Sequence, residues 1–231
     1  MTTELRLISS MATRALLMDL LARWHAQSPQ RVALESVGGV DAAKRVQAGE
    51  AFDIVMLASK AIEQLTAAGH IVAGSRVDIV DSGVAVAVRA GAAQPDIGSE
   101  AALKQAVLAA PRLAYSTGPS GVELAKLFTR WGIAEAIAGR IVTAPPGVPV
   151  GALVARGEVD LGFQQLSELM HLEGLSVVGP LPPEVQITTT FSAGVAATST
   201  QRELAGALLQ FFAAPEHVAL KHSHGMEPPK L

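Results

Sequence analysis

Apolar residues in this chain come in short β-branched runs separated by longer stretches with helical spacing, an alternation that predicts parallel α/β architecture. The runs predict strands over 5–8, 32–35, 53–57, 76–80 and 84–88, with helices over 11–27, 41–48 and 60–68 between them. A Gly/Pro-rich segment over 91–98 interrupts the pattern, which then resumes: helix 99–109, strand 112–115, helix 120–131, strand 140–143, helix 148–156, strand 160–163. Beyond Gly174 follow a strand over 176–178, a turn over 179–183, a Thr-rich strand over 185–191, and closing helices over 201–213 and 215–222. Strands that are apolar throughout belong to sheets covered on both faces. If the closing helices pack on the first unit, the chain forms two lobes, 1–82 with 194–231 and 83–193. Two segments, near Gly83 and Gly194, would cross between them.

Composition narrows the function more than the fold. A chain of 231 residues buries about 70% of its unfolded surface, so no disulfide or metal staple is needed. The formal charge of −3, with basic residues scattered rather than clustered, argues against nucleic acid as a partner. Absence of Cys removes thiol nucleophiles and thiolate metal sites, and the six His show no paired metal spacing, so neither metal nor cofactor is expected. No apolar run approaches the roughly 20 residues of a spanning helix, which excludes membrane insertion. The first ten residues lack the charged, apolar and small-residue sequence of a leader peptide. The expectation is therefore a cytoplasmic protein as written, or a periplasmic one if a leader has been removed.

In open parallel sheets ligands bind beyond the carboxyl ends of the strands. Ser9, Ser10 and Met11 follow the first strand, and Gly38, Gly39 and Val40 follow the second. Both junctions open helices, where unpaired N–H groups and the helix dipole favour an anion. The blander reading of the glycine pair is a flexible turn with Asp41 as cap. In the second half Thr117, Ser120 and Gly121 form the strongest local signal, three hydroxyls counting Ser116 and two glycines at a helix start. Gly147, in a proline-rich turn over 145–149, reads more readily as structural. Gln164 and Gln165 end a strand and point to opposite sides, so one of them is expected to face the ligand. Glu168 is the nearest carboxylate and, with His70 and His171, a candidate for proton transfer. A lone histidine is more often structural, and the catalytic base is left unassigned. Arg14 and Arg45 rank lower, as helix arginines are usually solvated.

Several stretches together carry a resemblance: 7–11, 52–59, 73–76, 153–162 and 178–182, covering nearly the whole chain in order. The sequence resembles the type II periplasmic binding proteins, specifically the molybdate-binding proteins of ABC transporters. That resemblance implies a two-lobed fold, each lobe a mostly parallel sheet flanked by helices, holding an oxyanion with hydroxyls and backbone N–H groups at these helix starts. Ser10 and Ser120 occupy two of the family's ligand positions. Gly39 stands where the family has a second hydroxyl, and Gln165 where it has a tyrosine. Losing a hydroxyl and a phenol and gaining an amide shifts the expected ligand from molybdate to a di- or tricarboxylate. A transporter permease is the implied partner if the protein is exported. The same scaffold also carries enzymes, aconitate isomerase among them, so an allylic proton shift on an unsaturated polycarboxylate is the alternative to simple binding.

Overall fold

The computed structural model describes residues 4–145 and 147–230. Its first elements are β1 (Leu5–Ser10), a 3-10 turn (Met11–Thr13), α1 (Arg14–Gln27), β2 (Val32–Val37), α2 (Gly39–Gln47), β3 (Ile54–Ala58), α3 (Ser59–Ala67) and the long β4 (Val77–Arg89). Then come α4 (Glu100–Ala109), β5 (Leu113–Tyr115), α5 (Pro119–Arg130), α6 (Ala134–Ile137), α7 (Val150–Ala155), β6 (Leu161–Gln165), α8 (Leu166–Leu169) and β7 (Leu175–Pro180). The last are β8 (Thr188–Val195), α9 (Arg202–Ala213), α10 (Val218–Ser223) and β9 (Met226–Glu227). Among the described residues no helix is long and apolar enough to cross a membrane. The chain divides into two compact units, Met1–Asp81 with Thr190–Leu231, and Ser82–Thr189.

In the first unit β1 pairs in parallel with β2 and β3, and β8 joins β3 antiparallel. Strand alternation sends Leu5, Leu7, Ile54 and Met56 to one face, under Leu16, Leu17 and Leu20 of α1 and Leu208 and Phe212 of α9. Ile8, Val55 and Leu57 face the other way, onto Ala42 and Val46 of α2 and Ile62 and Leu65 of α3. The helical leucines recur at i and i+4, which is why α1 buries one stripe, and each fully buried leucine contributes about 2 kcal/mol.

In the second unit β5 and β6 are parallel, and β4 runs antiparallel to β6 and β7. Val84, Val86, Leu161 and Phe163 face Leu103 of α4 and Leu124 and Phe128 of α5. Ala85 and Ala87 face Val150 and Val154 of α7 and Leu169 of α8. Small residues let α7 sit directly on β6: a Cβ on Gly162 would lie 2.4 Å from Val154 Cγ2.

Several elements depart from the sequence reading. The sheets are parallel at β1, β2 and β3 and at β5 and β6. The antiparallel members are β4, β7 and β8, and β4 and β8 are the strands that carry the chain between units. Residues 81–83 do not break the chain, since β4 runs through them. Gly83 is there for close approach, because a Cβ would lie 3.2 Å from Gln186 Nε2, whose amide oxygen accepts from the Val84 and Ile187 N–H groups. Gly194 likewise sits inside a ladder, opposite Val55, where a Cβ would come within 2.7 Å of Ile71 Cγ2. The strand expected over 140–143 reduces to one bridge, Leu113 with Ile141. The chain then heads toward Pro145, which has no N–H to extend a ladder.

Candidate functional site

The first unit gathers donors where β1 and β2 end side by side, Ser10 opposite Val37. A Cβ on Gly39 would lie 3.7 Å from Ser10 Cβ, so the start of α2 is against the Ser10 side chain. Ser10 is 6% exposed and its Oγ has no hydrogen-bond partner among the described residues. An unpaired buried hydroxyl costs about 1–3 kcal/mol and calls for an explanation. Gly38 precedes α2 without a side-chain cap, leaving the first-turn N–H groups of Gly39, Val40 and Asp41 without intrahelical acceptors. Hydroxyl and helix start together present a neutral, donor-rich, electropositive face. Met11 and Val40, at 39% and 51% exposure, put two apolar side chains beside it.

Ser9 is not part of this donor set. It shares the Leu5 and Leu7 face of β1, is fully buried, and its Oγ lies 2.7 Å from Ser36 Oγ. His70 is also displaced. It follows α3, and its carbonyl accepts from Ala197 N–H next to the Ile71–Ala196 bridge, at the amino end of β3. The Ser10 end lies at the other end of β3, about 15 Å along a five-residue strand. Sequence reading passed over Ser59, which opens α3 as Ser10 closes β1. Its Oγ donates to the Thr190 carbonyl at 2.9 Å and meets Ser192 Oγ at 2.8 Å. Ser192 in turn donates to Asp78. Burial pushes that carboxyl up, but the hydrogen bonds from Ser192 and Arg76 outweigh it and hold the group below its ordinary range. A hydroxyl at a third strand-to-helix junction was the signal available. Arg45 is occupied elsewhere, held by Glu35 and Glu50.

In the second unit β5 leads into α5 through residues 116–118. Ser120, 5% exposed, has its Oγ 3.1 Å from Ser116 Oγ, while Thr117 is exposed. Gly118 caps α5 and Pro119 fills its first position, where no N–H is needed. Gly147 has φ of 76° and is exposed in a turn closed by Val148 N–H on the Pro145 carbonyl. It is a turn residue, as its blander reading had it. Pro146, within the same expected turn, lies outside the described residues.

The glutamine pair divides as alternation requires. Gln165 shares a strand face with Phe163. With its nitrogen turned to the Ser82 and Gly83 carbonyls, at 3.1 and 3.2 Å, its oxygen accepts from Thr189 Oγ1 at 3.0 Å. In that orientation the amide bonds within its own unit. Gln164, 4% exposed, points toward α7: its Oε1 accepts from Gly151 N–H and its Nε2 donates to Glu168 Oε1, both at 2.9 Å. Burial drives the Glu168 carboxyl up to about 7, with the Gln164 hydrogen bond opposing. A carboxyl raised toward neutrality is of the kind that proton transfer uses. His171 is exposed in the turn after α8. Among the described residues no cluster of three His, Asp or Glu is arranged to hold a metal ion.

The fold has counterparts among known proteins. The bacterial extracellular solute-binding protein family matches residues 5–227. An aconitate isomerase from a Pseudomonas species is 39% identical over 185 residues, 80% of this chain and 70% of that protein. The periplasmic molybdate-binding protein of Azotobacter vinelandii superposes with a TM-score of 0.81 at 20% identity, covering 98% of this chain and all of that one (100%). The tungstate ABC transporter protein of Geobacter sulfurreducens gives 0.76 at 16% identity, covering 95% and 98%. At those identities the likeness to the two structures is one of fold. The chain belongs to the bacterial extracellular solute-binding proteins and has their two-lobed type II periplasmic binding fold.

Proposed function

We propose that this chain binds an unsaturated di- or tricarboxylate and isomerises it by moving one proton across an allylic system. Glu168 carries the reading: a largely buried carboxyl, raised to about 7, in α8 just past the end of β6. Simple capture of an anion has no use for a carboxyl poised between its two charge states. The isomerisation does. A base removes a proton from the methylene carbon, the electron pair spreads over three carbons, and a proton returns to the far carbon, so the double bond shifts and no atoms are gained or lost. One carboxyl titrating near neutrality can take the first proton and return the second.

The other residues have roles that fit this substrate class. In the first unit Ser10 and the first turn of α2 offer neutral donors to a carboxylate; in the second unit Ser120, at the start of α5, offers a hydroxyl. Met11 and Val40 suit a hydrocarbon skeleton, which a tetrahedral inorganic oxyanion lacks. The 39% identity to an aconitate isomerase puts this reading ahead of binding alone. Binding without turnover is the second reading, favoured by the molybdate and tungstate proteins that share the fold; it would place the chain in the periplasm with a permease as partner. Incubation with trans-aconitate separates the two. Conversion to the cis isomer, lost in Glu168→Gln, supports the isomerase. Unchanged trans-aconitate that nonetheless raises the melting temperature leaves only binding.

A further inference from the structure

We infer that Gln164 is the positioning residue of this site, fixing which oxygen of Glu168 carries the proton. The inference rests on the isomerase reading for its purpose and on the geometry of β6, α7 and α8 for its content. Gly151 N–H, at the start of α7, points at the Gln164 amide from 2.9 Å, and a donor there requires the amide oxygen. The amide therefore has one orientation, and its NH2 group must face Glu168, where it donates to Oε1 at 2.9 Å. An amide nitrogen only donates. Oε1 must thus remain an acceptor whether the carboxyl is charged or neutral. In a neutral carboxyl the carbonyl oxygen is the better acceptor, so the proton resides on Oε2. That oxygen has no hydrogen bond among the described residues. Proton uptake and return are confined to one oxygen with a fixed direction, and positioning of this kind is where enzymes gain much of their rate.

The surroundings leave Gln164 as the polar control on Glu168. Neither α7, β6 nor β7 carries a titratable side chain, and Glu168 is the one titratable residue of α8. Neighbouring charges in sequence are His171 and Glu173 after α8, and Arg156 after α7, which pairs with Glu158. The close seat of α7 on β6, set by Gly162, together with the approach of Leu169 and Leu175 to Gly151, holds the Gly151 N–H where it can orient the amide.

Two variants test this. Gln164→Met removes both hydrogen bonds at nearly constant size. Gln164→Glu keeps an acceptor for Gly151 N–H, preserving the fold, but replaces the donor with a second carboxyl. The readouts are the titration of the Glu168 carboxyl, by carbon NMR of isotope-labelled glutamate assigned with Glu168→Gln, and the pH profile of aconitate turnover. Loss of a donor to the charged form moves the Glu168 midpoint up by about one unit in Gln164→Met. In Gln164→Glu two carboxyls share a proton and the shift is larger. The acid limb of turnover moves with the titration in each. An unmoved Glu168 midpoint in a folded variant overturns the inference. If the wild-type protein does not turn over aconitate, the proposed function fails, while the carboxyl titration still decides the role of Gln164.

Discussion

Gly121 lies directly under the Ser116 carbonyl, so close that a Cβ at that position would come within 1.5 Å of the carbonyl oxygen. The contact locks the 116–118 loop onto the first turn of α5 and so sets where Ser120 sits. Backbone cannot yield as a flexible side chain can. Gly121→Ala is therefore expected to destabilise the protein by about 3 kcal/mol or more, read from urea unfolding. Gly39→Ala provides the contrast. Its Cβ would meet only Ser10 Cβ, at 3.7 Å, an ordinary contact, so stability stays within about 1 kcal/mol of wild type.

The two adjacent serines of β1 separate binding from stability. Ser10→Ala removes a buried hydroxyl with no partner among the described residues, so thermal stability should hold or rise. Affinity for a polycarboxylate, measured by calorimetry, should fall about tenfold or more, as a hydrogen bond to a charged group is lost. Ser9→Ala should do the reverse. It breaks the contact with Ser36 and lowers stability by about 1 kcal/mol, with affinity unchanged. The same response from both variants would remove Ser10 from the site.

Glu168 gives the stability a pH dependence of definite sign. Its folded pKa, about 7, lies above the 4.5 of the free side chain, so the folded state holds the extra proton between those values. Stability from this group is fully present below about pH 4.5 and is lost as pH rises toward 7, by on the order of 3 kcal/mol in all. Glu168→Gln should flatten the curve across that window and leave the variant more stable than wild type at pH 8, by chemical unfolding at several pH values. A wild-type curve that rises through this window would show the carboxyl to be ionised in the folded protein.

Most of the fold was legible because period-two and helical apolar spacing survive in nearly every element of both units. Where reading failed, a tertiary contact had overridden a local signal. Gly83 and Gly194, read as lying outside the strands near the crossing segments, both lie inside strands, β4 and β8, and at Gly194 the close approach of Ile71 leaves no room for a Cβ. The helix starts at Ser10, Gly39 and Ser120 were visible from composition alone. The fates of Ser9 and Gln165 were not, since which face of a strand a residue takes depends on register, and both proved to be bonded within their own unit. Glu168 stood out only as the nearest carboxylate. What raises its pKa is burial, at a position in a helix only four residues long, α8, which no spacing rule announces.

The most direct test of the account is to follow aconitate by NMR in deuterium oxide with the wild-type protein. An allylic proton shift through a carboxyl that exchanges with solvent predicts deuterium at the carbon that becomes the methylene as the cis and trans isomers interconvert, abolished in Glu168→Gln. Isomers that interconvert without taking up label, or labelling that persists at the wild-type rate in Glu168→Gln, would contradict it.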